Sequence, residues 1–583
     1  MENVTDSWLD YQRGLDYKRK INLLATVDKS ERFYSDRQWE GVKSNGLPTP
    51  QHNVTARIVD YKVSQVMDNQ LKMNFSVDGI DEETEDDSET KLIEVAEILS
   101  AYSETTWERV KMDSMNEDGL LDAALSGDMV SFWYWDESIN AGDGIMGDIN
   151  GELIDNVNYF PGNPNSPKVQ TQPYIILAFR QMVEDVRKKA KANGVSASDL
   201  LLISPDQDTQ DQAGDSAKIE LDQSNKTIVL LKLWKENGTV WGKEVCKAVT
   251  IRKEWDLGTK LYPVALMNWK KRKNSCHGTN EVNGIIPNQK YINKQAALLQ
   301  LNAMFNAIGK PIYDKTRIAA WSTEIGTAIG VNGEITGAAG FINPGNASPD
   351  AYKMLESTIT WTKELQGANE TALGDNSITK TAAGIISLQK AAAIPLSTIK
   401  RRFYQYIEDV GQIWIDFWTS KYTVPRKLTV KENGVTRVKM FDGSQHKDVG
   451  FRLKIDIGPS MQWGEITTLQ TLDSMFDKQI LTSVQYVDRL PSGIIPKQSE
   501  LLDELQAGDT DKQLLFELMA RYVDSLPIDV QEQLKLLPPD VMEQQVKQMM
   551  QQGQQPQELP QGMPMQPQGM PQQQMQGGGP PVY

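Results

Sequence analysis

The sequence predicts a mixed α+β fold that is mainly helical, and two observations carry this prediction. Apolar residues recur at helical spacing through several long segments, and a central block places β-branched and aromatic runs between turn dipeptides. At 583 residues, the chain is long enough for about three to five domain-sized units. Hydrophobic residues make up 39% of it, which is enough for folded cores and excludes wholesale disorder.

The first half of the chain predicts helices that lead into a β-rich block. Helices are predicted over 54–71, 92–102, 107–125 and 182–193. Strands are predicted over 130–135, 174–180, 227–236, 238–247, 248–256 and 263–269. Asn237-Gly238 stands between two of these strands, and this dipeptide favours a type I′ hairpin turn.

A long helix is predicted over 285–307, where Lys290 and Lys294 are the only charged residues. One apolar stripe of this helix is formed by Ile292, Ala296, Leu299 and Ala303. Other apolar residues of the helix lie on different faces. A helix that is apolar on several faces is buried on several sides, within a core or between subunits. The Gly-rich stretch 309–347 predicts short strands and turns, and 349–366 predicts another helix.

The C-terminal part alternates helices with a few strands and ends in a low-complexity tail. A long helical region, 381–422, is interrupted at Pro395, and a hairpin over 428–439 turns at Asn433-Gly434. A strand is predicted over 451–457, and helices over 467–476, 482–488 and much of 499–550. From residue 551 the chain is Gln, Pro, Gly and Met, which predicts disorder because such a segment cannot bury a core.

Composition excludes several functional classes. The formal net charge of −17 argues against tight DNA binding, which usually uses a basic face, but not against weak contact. No run of about 20 apolar residues is present, so no membrane span is predicted, and the N-terminus has no secretory signal pattern. With only two cysteines, a disulfide framework is excluded and a reducing cytoplasm is the expected compartment.

The motif search finds no catalytic or cofactor site. Residues 238–244 superficially resemble a phosphate-binding loop, but three residues rather than four separate the glycines, and Glu244 replaces the Ser or Thr that binds magnesium. Cys276-His277 is the only adjacent Cys/His pair, too few ligands for structural zinc, and we expect a buried thiol beside a loop histidine. Asp473 and Asp477 form a carboxylate pair one helical turn apart, which is typical of a solvated face. The sequence therefore predicts a protein that is not an enzyme and has no cofactor or metal.

The densest basic run is Lys270-Lys271-Arg272-Lys273. Such a run is most often a solvated strand end or loop. The alternative is an electrostatic contact with nucleic acid or with the acidic surface of a partner.

Several motifs follow one another in an order that matches a known family. They are Phe33-Tyr34, Gln38-Trp39, Pro50, Asn53, the run from Asp118 to Gly127, Tyr262-Pro263-Val264-Ala265, Asn268-Trp269, Gly278, Glu281-Val282, the run from Ile286 to Lys294, the run from Gly374 to Gly384, Leu490-Pro491 and Ile494-Ile495-Pro496. In this order, and over about residues 30–505, the chain resembles the portal proteins of tailed bacteriophages.

The resemblance implies a portal-type, ring-forming fold with named regions. They would be a wing at 1–279 and 421–498, stem helices at 280–308 and 349–372, a clip at 309–348, a tunnel loop at 373–383, a tunnel or wing helix at 384–420, a helical crown at 499–550, and the disordered tail 551–583. Such proteins form a ring, usually of about twelve subunits, at one capsid vertex. Genome packaging and ejection pass through this ring.

The resemblance also implies partners and site residues. The expected partners are further copies of the chain, the major capsid protein and scaffold, the terminase large subunit, a head-completion adaptor or tail protein, and double-stranded DNA that passes without sequence recognition. The expected location is the portal vertex of the virion, with the host cytoplasm during assembly. The tunnel loop would place Asn376, Ser377, Thr379, Lys380 and Thr381 at the DNA channel.

Two other classes of function stay open at this point. One is a nucleic-acid-processing enzyme, which predicts metal-dependent cleavage and acidic residues that converge in a pocket. The other is a different structural component of a capsid or connector, which predicts another ring size or no ring.

Overall fold

The structure is a computed structural model of the chain. It describes residues 2–77, 87–140, 145–206, 225–307, 310–322, 324, 327–342, 348–368, 394–423, 425–432, 435–446, 449–460, 472, 474–476, 478 and 481–490. The fold is mixed, with 48% helix and 24% strand, which confirms the predicted mixed class, with helix twice as abundant as strand. The chain divides into two compact units, residues 1–466 and 467–583.

Most helices of the first unit coincide with apolar periodicity in the sequence. They are α1 (Glu2–Lys20), α2 (Leu23–Tyr34), α3 (Val54–Met67), α4 (Asp87–Arg109), α5 (Met112–Ser126), α6 (Val183–Ala192), α7 (Ala197–Leu202), α8 (Ile286–Ala307), α9 (Pro349–Leu365) and α10 (Ser397–Lys421). Asn53 caps α3 by accepting a hydrogen bond from the Ala56 amide, and Gly127 ends α5 in the left-handed conformation. None of the described helices is long and apolar enough to cross a membrane.

The strands of the first unit form antiparallel sheets. They are β1 (Asn69–Val77), β2 (Asp128–Asn140), β3 (Met146–Ile154), β4 (Tyr159–Pro161), β5 (Tyr174–Met182), β6 (Lys226–Glu236), β7 (Thr239–Val245), β8 (Thr250–Asp256), β9 (Val264–Asn268), β10 (Lys310–Tyr313), β11 (Ala339–Ile342), β12 (Arg426–Glu432), β13 (Val435–Phe441) and β14 (Phe451–Ser460). The sheet orders are β4-β5-β6-β7-β8, β3-β2-β9, β1-β14, β10-β11 and β12-β13.

The predicted hairpin turn at Asn237-Gly238 is confirmed. Both residues have positive φ, 52° and 86°, as a type I′ turn requires. The second predicted turn, Asn433-Gly434, lies outside the described residues, although β12 and β13 on either side of it pair as expected.

Two predicted boundaries were wrong. The helix predicted over 54–71 ends at Met67, and Leu71 lies in β1, which pairs with β14 from the far end of the unit. Met73 and Phe75 alternate into the core there, a strand pattern that the preceding helical periodicity hides in the sequence. The break between α4 and α5 falls at Lys111, which adopts a positive φ of 53°, rather than before Trp107.

The largest core surrounds α10, which carries buried aromatic side chains along one face. Trp414 meets Trp133 of β2 edge-to-face, with ring centroids 5.2 Å apart, and both are fully buried. Gly411 lets β14 approach this helix, because a Cβ at that position would overlap the side chain of Leu453. The helix therefore joins α3, α4, α5 and the β3-β2-β9 and β1-β14 sheets in one apolar core, whereas the five-stranded sheet packs into separate clusters.

Within the second unit, the described residues include α11 (Ser483–Arg489). Thr482 and Gln485 form a capping box at its N-terminus. Leu472, Leu481 and Leu490 form a small buried cluster beside it. The predicted crown and tail, residues 499–583, lie outside the described residues.

Candidate assembly surface

The described part of the chain between 286 and 365 forms an arm that differs from the rest of the first unit. The arm consists of α8, α9 and the described residues between them, which include the β10–β11 hairpin. Its root is the N-terminal half of α8, whose buried residues are Ile286, Gln289, Ile292, Asn293, Ala296, Ala297 and Leu299. Beyond Leu299, no residue of α8 is buried.

Apolar packing holds the root of the arm against α3. Ile292 is fully buried in a cluster with Ile58 of α3, Ile285 and Ala368. The two helices of the arm are also joined by a hydrogen bond, in which the side-chain amide of Asn288 (Nδ2) donates to Thr362 Oγ1 at 3.1 Å. The root is therefore fixed by the N-terminal part of the chain.

A buried chain of amide side chains adds directional contacts to this packing. Gln289 Oε1 accepts hydrogen bonds from the backbone amides of Val54 (3.1 Å) and Thr55 (3.2 Å) at the start of α3, where helix amides have no acceptor within the helix. Gln289 Nε2 donates to His52 O and to Asn293 Oδ1. Asn293 Nδ2 in turn donates to Gln38 Oε1 at 2.6 Å.

A buried carboxylate, Glu281, forms a second polar centre just before α8. It accepts from Lys62 Nζ at 2.7 Å, Trp269 Nε1 at 2.8 Å and Lys270 Nζ at 2.9 Å. Burial by itself would raise the pKa of Glu281, but the two lysine charges and the hydrogen bonds outweigh it, so this pKa is lowered. The pKa of Lys62 is also lowered, chiefly by burial. Glu281 is therefore held as a charged group that links α3 to the segment before α8.

Several residues that carry the family resemblance meet at this junction. Gln38, Asn53, Trp269 and Glu281 all belong to the motifs quoted above, as does Gln289. The sequence analysis identified these residues as family motifs but did not predict their buried contacts at this junction. Gln289 and Asn293, four residues apart on a helix without acidic residues, were the signal that could have predicted a buried polar anchor.

The outer part of the arm exposes apolar side chains. Among the described residues, twenty-four large apolar side chains are exposed, and twelve of them lie on the arm. They are Tyr291, Leu298, Met304, Phe305, Ile312, Ile335, Phe341, Ile342, Tyr352, Met354, Trp361 and Leu365. Exposed apolar residues gathered in one region make the arm a candidate interaction surface.

The exposed side chains of the two helices follow helical spacing. Tyr291, Leu298 and Phe305 are seven residues apart on α8, so they share one face, opposite to the buried stripe. On α9, Met354 and Trp361 repeat the same spacing. Seven-residue spacing is typical of helices that pack side by side against a further helix.

The hairpin end of the arm carries an aromatic cluster. The rings of Tyr313 and Trp321 stack with centroids 5.7 Å apart, and Phe341 meets Trp321 edge-on at 6.1 Å. Phe341 is nevertheless 63% exposed, and about half of the surface of Ile312 and of Ile342 is exposed. A two-stranded sheet with an exposed apolar face is marginal on its own.

The four residues of the predicted apolar stripe on α8 differ in their burial. Ile292, Ala296 and Leu299 are buried within the chain, whereas Ala303 is exposed. The face that the chain leaves uncovered is the one with Leu298 and Phe305. A role of the four stripe residues between subunits stays a prediction.

The basic run lies on the surface. Lys270, Lys271, Arg272 and Lys273 are all exposed, and Lys270 is the one that binds Glu281. The tunnel-loop residues Asn376, Ser377, Thr379, Lys380 and Thr381 lie outside the described residues.

The Cys276-His277 pair is buried, as expected. His277 Nδ1 lies 2.8 Å from Asp128 Oδ2, and burial together with the Asp128 charge raises the pKa of Cys276 to about 12. A thiol with so high a pKa is not a nucleophile at neutral pH. Across the described ranges, no group of three or more His, Cys, Asp or Glu side chains is placed to hold a metal ion.

Comparison with known proteins adds no relative: no family model and no curated protein matches the chain.

Proposed function

We propose that this chain is a portal protein of a tailed bacteriophage, the subunit of a ring at one capsid vertex through which the genome is packaged and ejected. The observation that carries the proposal is the arm, whose root is anchored in the first unit while its outer surface holds half of the exposed large apolar side chains. The choice of this family rests on the ordered motifs of the sequence.

A closed ring accounts for the exposed faces of the arm. In a cyclic assembly each subunit contacts two neighbours through different surfaces, so both sides of a protruding helix pair become covered. The arm offers two such surfaces. One is the exposed face of α8 with Tyr291, Leu298 and Phe305, and the other is the face of α9 with Met354 and Trp361. The aromatic hairpin end would be the clip, where the terminase large subunit and then a head-completion adaptor dock.

The charge of the chain fits a channel that lets DNA pass. Each subunit carries a formal charge of −17, so the ring as a whole repels the phosphate backbone. Tight binding would slow a strand that has to move. The same proposal includes contacts between Lys380 and the passing DNA. It also includes contacts of the wing with the major capsid protein and the scaffold.

The test is the assembly state of the purified full-length protein. We expect a closed ring of about twelve subunits by native mass spectrometry and negative-stain microscopy. The variant Leu298→Glu/Phe305→Glu should shift the protein to monomers, because two charges per subunit enter an apolar contact.

The matched control is Leu9→Glu/Leu47→Glu. Leu9 and Leu298 are both 44% exposed, and Leu47 and Phe305 are both 42% exposed, but Leu9 and Leu47 lie outside the arm. The control should still form rings. A native protein that stays monomeric would refute the proposal, and rings of the Leu298→Glu/Phe305→Glu variant would refute the use of this surface.

The alternatives give different results in the same preparations. A nucleic-acid-processing enzyme would show metal-dependent hydrolysis that is lost when a carboxylate is replaced, and another connector component would give a different ring size. A portal subunit alone should hydrolyse neither ATP nor DNA.

A further inference from the structure

A cleft that contains no residue of the arm opens on one face of the five-stranded sheet. Val229, Leu231 and Leu233 alternate along β6, so their side chains share this face. Val229 packs in a cluster with α6, whereas Leu231 and Leu233 pack in a cluster with β2. The cleft is lined by all three residues, by Lys189 of α6 and by Phe132 of β2, so it lies between these two covers. Its volume is about 540 Å³, within the range of small-ligand sites.

Aromatic side chains form much of the wall of this cleft, which we name the Trp255 cleft. Phe132 and Tyr134 of β2 stack with ring centroids 5.6 Å apart, and the Phe179 ring of β5 lies 6.1 Å from that of Phe132. Trp255 of β8 lies beside Gly242 of β7, where a Cβ would come within 2.9 Å of the indole. Walls of this kind suit a flat aromatic ring, which stacks on other rings or meets them edge-on.

Three polar groups on residues that line the Trp255 cleft make no hydrogen bond with the described part of the chain. They are the Tyr134 hydroxyl, the Gln181 side-chain amide and the Trp255 indole N–H. Each belongs to a partly exposed residue and keeps surface that solvent can reach. A hydroxyl and an amide both donate and accept hydrogen bonds, whereas an indole N–H only donates. Together the three groups suit a ligand that carries both donors and acceptors.

The charged side chains of the Trp255 cleft favour a neutral ligand. Four acidic and three basic residues line it, and they are Glu137, Glu152, Glu244, Asp256, Lys189, Arg252 and Lys421. Lys189 Nζ lies 2.7 Å from Glu244 Oε2, so these two charges are matched. The charge of Lys421 interacts with those of Asp256 and Glu137. Because opposite charges offset one another in this way, the cleft has no surplus of positive charge for an anion and little surplus of negative charge for a cation.

We propose that the Trp255 cleft binds an uncharged, planar heteroaromatic ring with donors and acceptors on its edge, such as the base of a free nucleoside. Proteins hold unstacked bases on aromatic rings and on guanidinium planes. The cleft supplies both, since the guanidinium carbon of Arg252 lies 3.9 Å from the centroid of the Trp255 ring. Tyr134 and Gln181 supply hydrogen bonds to the edge of the base. The proposal does not depend on subunit assembly, because all of these residues belong to one chain.

Isothermal titration calorimetry on the full-length protein tests the proposal. The probes are adenosine, uridine and 5,6-dihydrouridine, whose saturated base keeps the N–H and carbonyl groups of uridine but is not planar. We expect at least one of the two aromatic nucleosides to bind at one site per subunit. Dihydrouridine should bind about tenfold or more weakly than the tighter of the two, because it cannot stack. The 5′-monophosphate of the tighter nucleoside should bind no more tightly than the nucleoside itself.

Substitutions locate the site. Trp255→Leu should weaken nucleoside binding about tenfold or more, because a stacking surface and a donor are lost. Tyr134→Phe keeps the ring and removes the hydroxyl, so it should weaken binding by about two- to tenfold. The control Trp234→Leu replaces a partly exposed tryptophan of β6 that does not line the cleft, and it should bind as the native protein does.

Four results would overturn the proposal. They are no binding of adenosine or uridine, equal binding of dihydrouridine, tighter binding of the monophosphate, and equal affinities of the Trp255→Leu and Trp234→Leu variants. Thermal unfolding of each variant shows whether it is folded, and Tyr134→Phe, which removes one oxygen atom, serves as the test where Trp255→Leu does not fold.

Discussion

The core around α10 and the arm use the same kinds of side chain in opposite ways. Trp414 of α10 is fully buried between sheet and helix, whereas Trp361 of α9 is 53% exposed. The core covers its aromatic residues with its own chain, and the arm covers only its root. The difference teaches that similar side chains serve two purposes here: those of the core stabilise the fold, whereas those of the outer arm form an apolar surface that the described residues leave open.

The largest effect is expected from a cavity in the core. Trp414→Ala should lower the free energy of unfolding by about 3–5 kcal/mol, because the whole indole and its contact with Trp133 are lost. Trp361→Ala should change it by less than about 0.5 kcal/mol, because that ring is half exposed. Urea unfolding of dilute, unassembled protein measures both. Similar losses for the two variants would abolish the contrast between core and arm.

The buried ion pair at the root comes next. Lys62→Met should cost about 3 kcal/mol, because Glu281 remains buried with one lysine instead of two. The control is Lys72→Met, which breaks the exposed Lys72–Glu104 pair and should cost no more than about 1 kcal/mol. Denaturant midpoints give the comparison. Adding Glu281→Gln to Lys62→Met should restore part of the stability, and a further loss would contradict the argument.

The amide chain should have a smaller and more local effect. Gln289→Ala removes the acceptor of the Thr55 amide and one of the two acceptors of the Val54 amide, which also donates to His52 O, and should cost about 1–3 kcal/mol. Hydrogen exchange at these two amides should become faster. Gln300→Ala, on an exposed position of the same helix, should change neither quantity. Unchanged protection of Val54 and Thr55 in the Gln289 variant would show that packing alone anchors the arm.

The smallest effect concerns pH. Burial, followed by the charges of Asp155 and Asp28, raises the pKa of Glu31 to about 7. Between its unfolded pKa, about 4.3, and about 7, the folded protein therefore binds more protons at this site, so stability falls as pH rises through that window.

Glu31→Gln removes this contribution. The variant should be more stable than the native protein at pH 8, by about 1 kcal/mol or less, and nearly unchanged at pH 4, below both pKa values. Thermal unfolding at the two pH values measures it, with exposed Glu97→Gln of α4 as the control. An equal gain at both pH values would assign the effect to packing rather than to proton binding.

The sequence predicted those elements that depend on local rules. Apolar periodicity predicted α8 and α9, and Asn237-Gly238 predicted the hairpin between β6 and β7. It did not predict β1, because the partner of that strand, β14, comes from the far end of the unit and leaves no local trace.

The candidate surface was predictable only in part. The sequence predicted that α8 is apolar on several faces, but periodicity cannot tell which face the chain itself covers. The structure assigns Ile292 to the covered face and Leu298 to the open one. The contacts of Gln289 with Val54 and of Glu281 with Lys62 were also beyond sequence reasoning, since these two partners precede them by more than 200 residues.

That separation has a consequence for the order in which the chain folds. Thr55 and Gln289 are 234 residues apart, so the Thr55 amide in the first turn of α3 lacks this acceptor until α8 has been made. Such a long loop closes slowly, and its closure entropy is recovered only when the amide chain and the Ile292 cluster form together. During synthesis the N-terminal helices therefore emerge before the hydrogen-bond and packing partners that α8 supplies. The arm can adopt its final orientation only late. For the ring proposed above, this order would postpone assembly through the arm until the first unit has closed.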